Sequence, residues 1–137
     1  DKVTFIGYSQ GGLVAANLTR QSPSYDVTGI MTVGSPIGRS GIPDSVPVLA
    51  IENRRDIVPK LDFSPNADAV KQVTAVVDAG EPLNLIESHR LTEYIDSARE
   101  VQNSTDPAVV KLRDQLLAQV RDRGLVPSEF FELKRVG

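Results

Sequence analysis

There is no cysteine among the 137 residues, which excludes disulfides, thiolate zinc sites and a cysteine nucleophile. Histidine is almost missing as well. His89 stands alone, so a histidine-rich metal site is excluded and any imidazole chemistry must run through one residue. There is no tryptophan, and the aromatics amount to four Phe and three Tyr, which leaves carbohydrate stacking with little support. No apolar run is long enough to span a bilayer. Charge of one sign is lacking too: 15 Lys and Arg against 18 Asp and Glu leave a net charge of -3, spread along the chain. Phosphate backbones demand a basic face, so nucleic acid is not an expected partner. The pair Arg54-Arg55 reads as solvated loop charge. The chain opens at Asp1-Lys2, directly ahead of a strand-like run, with no initiating methionine and no legible export signal. A preceding segment is therefore expected, and localisation is not readable from these residues.

What is present reads as one globular domain. The chain is 40% hydrophobic and 24% charged, within the ordinary range for a packed domain of this length. Val3-Thr4-Phe5-Ile6 is a short β-rich run of the kind found in buried parallel strands. A helical pattern follows from about Gln10 to Arg20, with Leu13, Val14 and Leu18 as its apolar side and Ala15 and Ala16 allowing close packing. Ser22-Pro23-Ser24 ends it. Further strands are expected at Thr28–Val33, Pro47–Glu52 and Val73–Val77, with a surface loop from Ile37 to Asp44. Two helices close the chain, one over about Leu91–Val101. The other has Asp106 as N-cap, Pro107 in the first turn and Gly124 at the stop. Val109, Val110, Leu112, Leu116, Leu117 and Val120 fall on one face of it, a face expected to pack on the sheet. Strands separated by helical or long connections imply an α/β fold with three αβα layers and a mainly parallel sheet.

Gly7-Tyr8-Ser9-Gln10-Gly11 matches the pattern G-x-S-x-G. An apolar strand ends right before it and a helix begins right after it, and the chemistry needs that context. A serine on a sharp strand-to-helix turn has its hydroxyl pushed out at the carboxyl edge of the sheet. Gly7 and Gly11 are expected to leave room where side chains would clash. The helix N-terminus behind Ser9 favours negative charge, and the Gln10 backbone N–H is the natural first donor of an oxyanion hole. A phosphate-binding loop would want Lys after the last glycine, where Leu13 stands.

A serine hydroxyl is a poor nucleophile until a base takes its proton. His89 is the one residue of the right type, in the polar loop Glu87-Ser88-His89-Arg90 ahead of a helix. Taken alone, it reads rather as a surface or capping histidine; combined with the serine turn, it is the expected base. Asp56, just past the strand ending at Ile51-Glu52, is the carboxylate expected to orient the imidazole, with Ile57-Val58-Pro59 stiffening its loop. Glu52, Asp62 and Asp78 compete for that place and otherwise read as solvated carboxylates. Tyr8 is expected either to line an acyl pocket or to pack in the core. No cofactor or metal is called for by this chemistry.

With Ser9, Asp56 and His89 in the order Ser, Asp, His, the chain resembles the α/β-hydrolase superfamily of lipases and esterases. The elbow Gly7-Tyr8-Ser9-Gln10-Gly11-Gly12 is similar to that of cutinases and related actinobacterial esterases. Val33-Gly34-Ser35-Pro36 and Asn53-Arg54-Arg55-Asp56-Ile57-Val58-Pro59 resemble the second and third segments of lipase-like members, and His89 followed by Tyr94 resembles the family's histidine loop. The likeness covers about Val3 to Tyr94. It implies a serine hydrolase acting on a small-molecule or lipid-like ester. Acyl transfer, thioester cleavage, or a non-catalytic binding module on the same fold are the alternatives. Family members carry strands before the elbow and a second oxyanion donor among them. The chain is therefore expected to be the C-terminal part of one such domain, weak or inactive alone, with a core over about 1–95 and a helical tail over about 96–137. The strand edge at residues 3–6 is expected to pair with a second copy.

Overall fold

A computed structural model describes residues 2–21, 25–66, 70–78 and 87–121. Among these, the elements in chain order are β1 (Lys2–Tyr8), α1 (Gln10–Gln21), β2 (Asp26–Val33), β3 (Val48–Asn53), β4 (Gln72–Val77), α2 (Leu91–Gln102) and α3 (Pro107–Arg121). The four strands form one sheet in the order β1-β2-β3-β4, and every pairing is parallel. Helices cover both faces, giving a three-layer αβα arrangement.

Two apolar clusters divide along those faces, and strand periodicity sorts residues between them. Val48 and Ala50 of β3 join Ile30, Ala15 and Phe5 under α1. Leu49 and Ile51 point the other way, to Ala75 and the helical residues Tyr94, Val101, Val109, Leu112 and Leu116 of α2 and α3. All six residues of β3 are buried. A strand covered on both faces has no solvated side, which is why its first four residues, Val48 to Ile51, are all apolar. Each large side chain so buried contributes about 1.5–3 kcal/mol.

Two expectations need correction. In α1 the buried residues are Gly12, Ala15 and Ala16, while Val14 and Leu18 are exposed. The helix lies so close to the end of β2 and the turn after it that a Cβ on Gly12 would sit 2.5 Å from the Ser35 Cβ and 3.2 Å from the Thr32 Cγ2. Small residues therefore face inward and the bulkier Val14 and Leu18 turn out. The boundary expected near residue 95 falls inside α2, and α3 packs in the same cluster as β3 and β4. The described part of the tail thus belongs to the core.

The start of α3 is as expected. Asp106 Oδ1 accepts the N–H groups of Ala108 at 2.9 Å and Val109 at 3.2 Å, satisfying two donors that the first turn leaves unpaired. Val109, Leu112 and Leu116 are buried, and Val110 and Leu117 partly so. The expected stops at Ser22-Pro23-Ser24 and Gly124, and the Val120 side chain, lie outside the described residues.

Candidate active site

Parallel pairing aligns the carboxyl ends of the strands. Tyr8 lies beside Val33, Val33 beside Ile51, and Asn53 beside Val77. The register continues past the strands: the Ser9 N–H donates to the Val33 carbonyl (2.9 Å), and the Gly34 N–H to the Ile51 carbonyl (2.9 Å). Residues just after each strand therefore share one rim.

Ser9 is the single residue between β1 and α1. Its φ is +53°, a left-handed conformation that costs a non-glycine residue about 1–3 kcal/mol. The turn can be this tight because Gly7 lets the helix start fold back onto the strand. A Cβ on Gly7 would lie 2.5 Å from the Gly11 carbonyl carbon and 2.6 Å from the Gly12 nitrogen. Gly11 was expected to be needed for the same reason and is not: a Cβ there meets nothing within 4 Å. The second crowded position is Gly12, because the inward face of α1 passes through residue 12 and not residue 11.

Asp56 follows β3 by one turn, its N–H bonded to the Asn53 carbonyl (3.0 Å). The side chain is fully buried. Val58, opening a single 3₁₀ turn (Val58–Lys60), donates its N–H to Asp56 Oδ1 at 2.8 Å. His89 ends a second 3₁₀ turn (Glu87–His89) just ahead of α2. Its Nδ1 lies 2.6 Å from Asp56 Oδ2 and its Nε2 lies 2.9 Å from Ser9 Oγ. A carboxylate only accepts, so Nδ1 carries the proton and Nε2 is left with a lone pair toward the serine hydroxyl. Three residues spread over 80 positions of chain thus form one hydrogen-bonded line.

The competing carboxylates are engaged elsewhere. Asp78 pairs with Arg55 at 3.3 Å, and Asp62 accepts the N–H groups of Arg39 and Ser64. Glu52 is not the solvated carboxylate expected of it. It is buried and accepts the Asn66 amide at 2.6 Å, while that amide also donates to the Ser35 carbonyl (3.1 Å). Burial raises the Glu52 carboxyl above its ordinary value, against the lowering effect of Asn66 and Lys60, with Asp56 and Asp62 adding to the rise.

Two tyrosines surround the imidazole. Tyr8 packs against the larger apolar cluster and stacks on the His89 ring, with centroids 5.3 Å apart and planes 19° from parallel. Its hydroxyl donates to the His89 backbone carbonyl. Core packing, the second of its two expected roles, is where it lies, with a contact to the histidine added. Tyr94 of α2 is 1% exposed and donates its hydroxyl to Asp56 Oδ2 at 2.5 Å. Burial lifts both phenols above their ordinary value, and the Asp56 charge adds to the rise in each, so both remain protonated donors. The contact of Tyr94 with Asp56 spans 38 positions. The one trace of it in the sequence is the spacing from His89 to Tyr94.

As the first residue of α1, Gln10 has a backbone N–H with no intrahelical acceptor. Among the described residues no group of three or more His, Cys, Asp or Glu is placed to hold a metal ion, and no helix is long and apolar enough to cross a membrane. No protein-family model, curated protein or solved structure matches this chain.

Proposed function

We propose that this chain is a serine hydrolase of α/β-hydrolase type that cleaves carboxylic esters through an acyl-enzyme. The observation that carries the reading is the unbroken line from Ser9 Oγ to His89 Nε2 (2.9 Å) and from His89 Nδ1 to Asp56 Oδ2 (2.6 Å), with the serine held at positive φ on a strand-to-helix turn. Ser9 Oγ attacks the ester carbonyl as His89 Nε2 takes its proton. The Gln10 N–H, beside the helix N-terminus, receives the developing oxyanion. Collapse breaks the bond to the alkoxy group, which leaves with the proton from His89. Water then repeats the sequence on the acyl-enzyme and frees the acid. Asp56 keeps the imidazole in the working tautomer and balances its transient charge. The substrate class is a small-molecule or lipid-like ester.

A fluorophosphonate probe tests nucleophilicity without requiring full turnover. The expected outcome is a phosphonate adduct on Ser9, located by mass spectrometry, that disappears in Ser9→Ala and forms slower by several orders of magnitude in His89→Ala. A folded protein that carries no adduct on Ser9 defeats the proposal. The same reading includes a partner: a second copy of the chain pairing along β1, whose outer edge has no strand beside it among the described residues.

A further inference from the structure

We propose that Tyr94 is a positioning residue of the Ser9–His89–Asp56 line: its hydroxyl fixes the rotation of the Asp56 carboxylate and, through it, the aim of the imidazole. The inference rests on the acyl-transfer reading and adds a fourth residue to it.

A buried carboxylate turns about its last side-chain bond unless both oxygens have donors. Oδ1 of Asp56 has the Val58 N–H, a backbone group that cannot follow a rotation. Oδ2 receives the His89 ring at 2.6 Å and the Tyr94 hydroxyl at 2.5 Å. Without the phenol, the imidazole is the one donor on that oxygen among the described residues, so the oxygen that orients the ring would itself be held by the ring alone. The phenol breaks this circularity because it is anchored independently of the histidine. Its oxygen accepts the Asn53 N–H at 3.2 Å, so its own proton is directed to Asp56. Its ring stands edge-on to both Tyr8 and His89, with centroids 6.1 and 6.2 Å away.

The backbone is shaped to admit this ring. Gly34 has a φ of +59°, and a Cβ there would lie 2.8 Å from Tyr94 Cε2 and 3.0 Å from its hydroxyl oxygen. The turn after β2 therefore leaves the space that the phenol needs to reach the turn after β3.

Tyr94→Phe keeps the ring and removes the donor, so it separates positioning from packing. The expected result is a roughly tenfold slower phosphonylation of Ser9, the loss appropriate to one hydrogen bond to a charged group. Because His89 is the one histidine, its ring Nδ1–H resonance is unambiguous. It is expected at low field and sharp in the parent, and exchange-broadened in Tyr94→Phe. Val101→Ala thins the same apolar cluster without touching the site; it is expected to lower the melting temperature and leave both readouts unchanged. In the parent protein, a cross-peak between the Tyr94 hydroxyl proton and the His89 Nδ1–H is expected, since both lie on one oxygen. This measurement stands even if Tyr94→Phe does not fold. A Tyr94→Phe rate within about twofold of the parent, an unaltered resonance, or absence of the cross-peak overturns the inference. Failure of Ser9 to label at all defeats the hydrolase reading instead, and the resonance still reports whether Tyr94 holds Asp56 against His89.

Discussion

Glu52 shows how much one buried side chain can set against the fold. It is the penultimate residue of β3, a strand buried along its whole length, and its carboxyl is pushed above the ordinary value of 4.5 chiefly by burial. The folded state therefore binds its proton more tightly than the unfolded state does. The sign follows: stability is undiminished below about pH 4.5, falls as pH rises from there to the raised folded value, and stays lowered above it. Glu52→Gln keeps an oxygen for the Asn66 amide and removes the charge. Its melting temperature is expected to exceed that of the parent by roughly 2–5 °C near neutral pH. The gap is expected to close near about pH 4, where Glu52 is protonated in both states. Calorimetry across that range decides it; a gap that does not vary with pH defeats the assignment. The expectation of a solvated Glu52 failed because an acidic residue at a strand end carries no local sign of what lies above it. The cover comes from Asn66, 14 positions on. Tyr94 stands out in the sequence only by its place after His89; its bond to Asp56, 38 positions away, has no local sign for the same reason.

Among elements, the β1–turn–α1 unit was the most legible, since its strand, serine and helix start are contiguous and each is set by local geometry. Its glycines were read less well. Gly7→Ala places a methyl group against backbone atoms 2.5–2.6 Å away, which cannot yield without moving α1. The expected cost is about 3 kcal/mol. Gly11→Ala meets open space within a helix and is expected to stabilise by up to about 1 kcal/mol, because alanine is the better helix former. Urea unfolding of the two variants checks both; a neutral Gly7→Ala or a destabilised Gly11→Ala contradicts the described packing. The motif alone treats the two flanking glycines alike. The rotation of α1 against the sheet distinguishes them, and it also turns Val14 and Leu18 outward.

At the scale of the molecule, the notable feature is β1. It pairs with β2 on one side, and among the described residues its other edge has no strand partner. Ile6 within it is 67% exposed. An apolar strand with unpaired N–H and C=O groups is a template for another chain. Self-association that grows with concentration is expected in sedimentation velocity, and Ile6→Lys is expected to weaken it at least about tenfold, since charge on an edge strand opposes pairing. A parent that stays monomeric at high concentration, or an Ile6→Lys variant that associates as strongly, removes this surface as the contact.

Residue order was enough to place the strands and helices, the serine turn and the candidate acid and base. Those features depend on apolar period, on turn chemistry and on the scarcity of alternatives, one histidine above all. Parallel register supplied what order could not: it brought the ends of β1 and β3 and the turn before α2 to one rim, where side chains 33 to 80 positions apart meet. The roles of Glu52, Gly12 and Tyr94 were likewise decided by tertiary contact. Burial and hydrogen bonding at a point depend on every segment that reaches it, and neighbours along the chain carry no record of those segments.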